Sequence, residues 1–143
     1  QEPEPDALVV TASFHRWAVL EIESRRLSRT SANPSPPKEG MHMMEGMALA
    51  RMDEFGAHHC ALVLWSIAKL SKVTARSGSD GSDSGQPYAA PTRLLAALMK
   101  RSQRIAPTAR PRHVSNILWA CATLGHQPSS ALFDALSTRI MNT

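Results

Sequence analysis

Two segments of this chain share one sequence pattern, and this repetition constrains the fold more than any other feature. Residues 62–71 read LVLWSIAKLS and residues 116–125 read NILWACATLG, with a tryptophan at the same place in both. A second pair follows, LLAALMKR at 94–101 and LFDALSTR at 132–139. The first pair is offset by 54 residues and the second by 38, and a low-complexity stretch of about the missing length interrupts the first copy. A period of about 38 residues indicates a repeat architecture.

The repeated segments have the pattern of helices that pack between neighbouring helices. Apolar residues occupy almost every position of each tryptophan segment, which is typical of a helix buried on several sides. Hairpins of such helices cover their apolar faces by stacking. We therefore predict an all-α fold, a short α-solenoid of stacked helical hairpins. The predicted helices span about 7–28, 41–55, 58–72, 91–105, 112–124 and 129–141.

Composition divides the chain into two regions. Residues 1–57 are expected to form an N-terminal helical region with a proline-rich linker at 30–40. Residues 58–143 hold the two repeats, interrupted by a Ser/Gly/Asp-rich loop at 73–90 that is expected to be disordered because it has little apolar surface to bury. No run of 18 apolar residues predicts a membrane span. The start at Gln1 leaves open whether a targeting segment was removed or the chain is a piece of a longer protein.

Charge is distributed unevenly along the chain. Residues 1–57 carry a net charge of −3 and residues 58–143 carry +7, which together give +4. A basic half favours a polyanion such as RNA, because each phosphate contact releases condensed counterions. A solvated basic surface is the alternative. The predicted phosphate contacts are Arg93, Lys100, Arg101, Arg104, Arg110 and Arg112.

The polar positions on the two tryptophan helices are candidates for contacts to RNA bases or to the ribose 2′-hydroxyl. Helix capping or simple solvation would explain the same residues. Trp65 and Trp119 are expected to lie in the core, with stacking on bases as the alternative. The predicted base or 2′-hydroxyl contacts are Lys69, Ser115, Asn116 and Thr123.

Catalytic and metal-binding patterns are missing from the sequence. His58, His59 and Cys60 are consecutive, and adjacent helical residues point in directions about 100° apart, so the three cannot chelate one metal ion. Neither a CxxC nor an HExxH motif is present, and no phosphate-binding loop or nucleophile elbow is found. We expect no enzymatic activity, no metal, no cofactor and no small-molecule substrate.

The string NILWACATLGHQPSSALFDAL resembles the repeat unit of octotricopeptide-repeat proteins of algal organelles, and the related repeats that accompany RAP domains. That unit has about 38 residues, with a core like NLLWALAKLG followed by a proline and a second helix rich in Leu and Ala. The resemblance covers about residues 58–141, and residues 1–57 match it poorly. The matching residues in the second copy are Asn116, Leu118, Trp119, Ala120, Ala122, Leu124, Gly125, Pro128, Leu132 and Leu136, and in the first copy Leu64, Trp65, Ala68, Lys69 and Leu70.

The resemblance implies RNA work inside an organelle. Two clear repeats would touch about two bases, too few to select one transcript. The expected function is therefore a subunit of a ribonucleoprotein, such as an organellar ribosome component contacting rRNA, with other ribonucleoprotein subunits as partners. A mitochondrial location is favoured, with the chloroplast as the alternative. A protein–protein scaffold of the TPR or HEAT kind, or a fragment of a longer transcript-specific factor, are the other readings.

Overall fold

The computed structural model describes residues 6–27, 38–76 and 90–143, and in these ranges it is all-helical without β-strands. The all-α prediction is therefore confirmed. Two short 3₁₀ turns, Met52–Glu54 and Ala106–Thr108, lie between helices. The six helices are α1 (Ala7–Leu27), α2 (Lys38–Ala50), α3 (Ala57–Arg76), α4 (Thr92–Ile105), α5 (Pro111–Leu124) and α6 (Ser130–Met141).

Three boundaries differ from the sequence prediction by more than one residue. The second helix ends at Ala50, five residues before the predicted end at 55, and a 3₁₀ turn follows at Met52–Glu54. The second helix begins at Lys38, inside the predicted linker, and α3 continues to Arg76, inside the predicted loop. The first glycine after α3 is Gly78, so no helix-breaking residue stops the helix at 72. The rest of the linker and of the loop, residues 30–37 and 77–89, lies outside the described residues.

The helices are arranged in two rows. In the odd row, α3 lies between α1 and α5 and makes its most extensive contacts with them. In the even row, α4 contacts both α2 and α6. Each odd helix also contacts the even helix that follows it. One apolar cluster runs through all six helices and joins the rows.

Burial along α3 and α5 shows how the odd row ends. Leu64 and Ala68 of α3 are fully buried, whereas Leu118 and Ala122, 54 positions later on α5, are half-buried and exposed. These positions lie one helical turn apart, so they form one side of each helix. In α3 that side is covered by its neighbour, and among the described residues no helix covers it on α5.

The connections that lead into α3 and α5 have the same structure. The N–H of Phe55 donates to the carbonyl of Met52 at 3.1 Å, and the N–H of Ala109 donates to the carbonyl of Ala106 at 3.1 Å. Phe55 and Ala109 are both extended, with φ of −69° and −70°. Residues 54 positions apart in the sequence thus have the same backbone conformation in the two connections. This holds although Phe55 and Gly56 of the first connection correspond to Ala109 and Arg110 of the second.

Candidate nucleic-acid interface

Trp65 and Trp119 are only half-buried, contrary to the expectation that both belong to the core. The residues that directly follow them, Ser66 and Ala120, are fully buried, and Trp119 packs against the apolar core. Successive residues of a helix are rotated by about 100° around its axis, so each tryptophan points partly away from the buried side and part of its ring reaches the surface. The apolar run in each segment concealed this, because sequence periodicity does not separate a half-buried ring from a buried one.

A lysine lies between the two tryptophan rings. The Lys69 Nζ is 5.3 Å from the ring centroid of Trp65 and 5.3 Å from that of Trp119. The Lys72 Nζ is 5.9 Å from the Trp119 centroid. Such distances permit cation–π attraction, worth roughly 0.5–1 kcal/mol at an exposed site. We name Trp65, Lys69, Lys72 and Trp119 the tryptophan–lysine cluster.

The cluster continues onto α1 through a histidine. The His15 ring lies 5.6 Å from the Trp65 ring, with an angle of 41° between their planes. His15 lies 50 positions before Trp65, and Trp119 lies 54 positions after Trp65. All three side chains are half-buried. One ring from each helix of the odd row therefore contributes to a single aromatic stripe.

All four predicted base or 2′-hydroxyl contacts share this surface with the tryptophans. Lys69 is part of the cluster itself. Asn116 and Thr123 lie three residues before and four residues after Trp119, which places all three on one face of α5. Ser115 lies four residues before Trp119 on the same face and is exposed, whereas its equivalent on α3, Ala61, is buried.

The predicted phosphate contacts fall into two groups and one exception. Arg93, Lys100 and Arg104 are exposed on α4 and spaced by seven and four residues, so they form one basic stripe. Leu94 and Leu98 are buried on the opposite side, so this stripe faces away from the core. The α5 group consists of Arg110 and Arg112, both exposed at the start of that helix, and Arg112 shares the face of Asn116 and Trp119.

Arg101 is the exception, because its guanidinium is engaged in the fold. It is half-buried, and its Nε donates to the carbonyl oxygen of Phe55 at 2.8 Å. The Nε of Arg139 donates in the same way to the carbonyl of Ala109 at 2.8 Å. We therefore assign Arg101 an architectural role. The sequence held a signal for it, since an arginine closes both matching segments, 94–101 and 132–139.

Two histidines cap the helices of the repeat in a matching way. The Nδ1 of His59 accepts from the N–H of Gly56 at 3.0 Å, and the Nδ1 of His113 accepts from the N–H of Arg110 at 3.2 Å. An Nδ1 that accepts carries no proton, so both rings are neutral with the proton on Nε2. Sequence reasoning considered His59 only as a metal ligand and missed this role.

Burial lowers the pKa of both capping histidines. For His59, desolvation is the largest cause and the nearby His58 adds to it, while Asp6 acts in the opposite direction. For His113, desolvation is again the largest cause, followed by the positive charges of neighbouring side chains. A lowered pKa favours the neutral ring that the capping hydrogen bond requires.

The buried cysteines are chemically quiet. Burial raises the pKa of the Cys60 thiol to about 11 and raises that of Cys121 as well. The thiolate is the reactive form, so neither cysteine is suited to nucleophilic or metal chemistry at neutral pH. Among residues 6–27, 38–76 and 90–143, no group of three His, Cys, Asp or Glu side chains is placed to hold a metal ion.

Within the same ranges, none of the helices has the length and apolar character needed to cross a bilayer. Comparison of the chain with models of protein families, with curated protein sequences and with solved structures found no significant match.

Proposed function

We propose that this protein is a non-catalytic RNA-binding protein, and that its two rows of helices are a short α-solenoid of three stacked hairpins. The repeated connections, with the same Nε-to-carbonyl contact in the second and third hairpins, support the solenoid. In a solenoid each unit contacts only its neighbours, so equivalent side chains line up across the stack. The alignment of His15, Trp65 and Trp119 is consistent with that geometry.

The single observation that carries the RNA proposal is the position of Lys69 between two partly exposed tryptophan rings. Proteins that bind single-stranded nucleic acid combine aromatic rings, on which bases stack, with cations that contact the backbone. Arg112 adds an exposed cation on the same face of α5 as Trp119, and the α4 stripe provides a second basic surface on the other row. The net charge of +7 over residues 58–143 favours the same partner.

A surface of this size contacts only a few nucleotides. Specific selection of one transcript needs many more base contacts, since each mismatched position changes affinity by only about 1–3 kcal/mol. The protein therefore fits best as a subunit of a larger ribonucleoprotein, in which neighbouring subunits provide the remaining affinity. The resemblance to octotricopeptide repeats favours an organelle, and we place the protein in the mitochondrial ribosome or a similar particle, with the chloroplast as the second choice.

Binding to a labelled single-stranded RNA across a salt series tests the proposal. Reversing the charge of Arg93, Lys100 and Arg104 should weaken binding for every RNA sequence and lower the log–log salt slope by about 2, at roughly 0.7 per phosphate contact. Reversing Arg16 and Arg26, which are exposed on α1, is the matched control and should have little effect. Absence of binding by the folded protein at about 50 mM salt would contradict the proposal.

A protein-binding scaffold is the second candidate, and the open side of α5 favours it. Leu118, Ala122 and Phe133 line a cavity of about 360 Å³, and Phe133 is 51% exposed. An amphipathic helix of a partner would cover such a surface by burying its own apolar side. A folded chain that binds no RNA but binds such a helix, and loses it on Phe133→Asp, would support the scaffold.

A further inference from the structure

We infer that Trp119 is the platform for one unpaired RNA base, with Lys69 and Lys72 holding the phosphates on either side of that nucleotide. The inference rests on the proposed RNA-binding function and makes it specific. It assigns to Trp119 a ligand contact, which the sequence pattern offers only as the alternative to a place in the core. It also defines the RNA as single-stranded at this point.

The first argument is the charge around the Trp119 ring. Two ammonium groups lie 5.3 and 5.9 Å from its centroid. Neither Lys69 nor Lys72 forms an ion pair with a carboxylate of the described residues. Two positive charges therefore share one ring without a counterion among the described residues. A nucleotide supplies both missing elements, since its base stacks on the ring and its phosphates neutralise the lysines.

The second argument is the polar side chains that flank the ring. Asn116 is one helical turn before Trp119 and Thr123 one turn after it, and both are half-buried on the same face. An amide both donates and accepts hydrogen bonds, and so does a hydroxyl. These groups are suited to the edge of a base that lies flat on the indole, or to its 2′-hydroxyl.

Trp119 differs from Trp65 in its aromatic contacts. The His15 ring already contacts Trp65 at 5.6 Å, so part of that ring is occupied. No aromatic contact to Trp119 is found among the described residues. Since Lys69 is 5.3 Å from both centroids, the two rings are at most about 10.6 Å apart, twice that distance. Lys69 is therefore a shared neighbour of both rings, and Trp119 is the ring without a second aromatic group against it among the described residues.

An unpaired base is required by the chemistry of the site. A base in a duplex is stacked on both faces by its neighbours and cannot lie on an indole without leaving the helix. Single-stranded RNA exposes these faces freely. The site should therefore prefer a single strand over a duplex of the same length and charge.

The test compares three variants of the whole chain with the wild type for binding to a fluorescein-labelled uridine 12-mer. Trp119→Leu removes stacking and should weaken binding about 5- to 150-fold, the range that corresponds to 1–3 kcal/mol per stacked base. Trp119→Phe keeps a ring and should retain most of the affinity. Trp119→Leu should leave the salt slope unchanged, whereas Lys69→Ala with Lys72→Ala should lower it by about 1.4. Quenching of tryptophan fluorescence on RNA addition should be smaller in the leucine variant, which keeps Trp17 and Trp65.

Each contrary outcome identifies what fails. If no RNA binds to the folded protein, the proposed function fails and this inference falls with it. If RNA binds with wild-type affinity to Trp119→Leu but not to the α4 charge-reversal variant, RNA binding stands and the platform is wrong. Equal affinity for the 12-mer and a duplex of matched charge would also overturn the platform. Displacement of the 12-mer by an equal concentration of free mononucleotide would assign the site to a small nucleotide instead.

Thermal unfolding of each variant, followed by circular dichroism, separates binding from folding. Trp119 is half-buried, so the leucine variant should lose some stability but keep its helices. If the leucine variant unfolds, the wild-type protein provides the test through its tryptophan fluorescence. In that case, quenching of wild-type tryptophan fluorescence by the single strand but not by the duplex supports the platform, and equal quenching contradicts it.

Discussion

Arg101 on α4 donates its Nε–H to the carbonyl oxygen of Phe55 at 2.8 Å, across 46 residues of sequence. The contact ties an even helix to the beginning of the odd helix in the same hairpin. Arg139 repeats it with Ala109, again at 2.8 Å. A backbone carbonyl accepts whatever side chain its residue carries, so the contact persists although Phe55 and Ala109 differ.

Removing the Arg101 contact should destabilise the protein more than removing an equal charge elsewhere on α4. Arg101→Ala leaves the Phe55 carbonyl without its charged partner and should cost about 2 kcal/mol of unfolding free energy, in the range for hydrogen bonds to charged groups. Arg104→Ala, at an exposed position, is the matched control and should cost under about 0.5 kcal/mol. Urea unfolding measures both, and equal losses would refute the architectural role.

The free energy of unfolding should decrease as the pH falls below the pKa of the histidines in the unfolded chain. His59 and His113 have a pKa below 6.5 in the folded protein, so the unfolded chain binds protons more readily. Their contribution is complete above about pH 6.5 and is lost as the pH falls toward the lowered values. Thermal unfolding between about pH 7.5 and 5 measures this loss.

Asparagine provides the control for the histidine caps. Its side-chain oxygen accepts the same backbone hydrogen bond and does not titrate. The double variant His59→Asn with His113→Asn should therefore keep much of its stability and show a shallower pH dependence. A pH profile as steep as that of the wild type would assign the dependence to other groups.

Two glycines of α2 should respond in opposite directions to alanine. A Cβ at Gly40 would lie 2.7 Å from the Cη2 of Trp17, so Gly40→Ala forces the indole to move and should destabilise the protein by about 1–3 kcal/mol. A Cβ at Gly46 meets nothing within 4 Å, and Gly46→Ala should stabilise it by about 0.5–1 kcal/mol. Melting temperatures measure both, and a stabilising Gly40→Ala would contradict the contact.

Cys60 should resist thiol reagents until the protein unfolds. Burial raises its pKa to about 11, so almost no thiolate forms near pH 8, and the sulfur is inaccessible. In a Cys121→Ser variant, alkylation of the remaining Cys60 should be slow in buffer and fast in denaturant. Fast labelling of the native variant would show that the helix contacts around Cys60 open readily.

Sequence patterns predicted the helices well because their ends carry strong signals. Pro111 and Gly125 bracket α5, and Gly125 has the left-handed φ of 66° that favours glycine at a helix end. The repeat also predicted which helices are equivalent. The end of α3 was placed too early, because its polar last turn from Lys72 resembles the loop that follows.

The surface was predicted less well, for two physical reasons. Charge alone does not distinguish Arg101 from Arg104, although one reaches a backbone carbonyl and the other faces solvent. Likewise, apolar residues surround Trp119 in sequence whether its ring is covered or not. The exposure of a side chain depends on which helix packs beside it, and the residues of that helix are distant in the sequence.

The two later hairpins have connections of very different length. The connection between α3 and α4 consists of residues 77–91, and the connection between α5 and α6 consists of residues 125–129. The arginine contacts that close these hairpins are nevertheless the same, at 2.8 Å. Closing a longer connection costs little, because its entropy grows only with the logarithm of length. Such a repeat can gain or lose a segment between its helices during evolution, or accept an engineered insertion there, while its packed interfaces stay as they are.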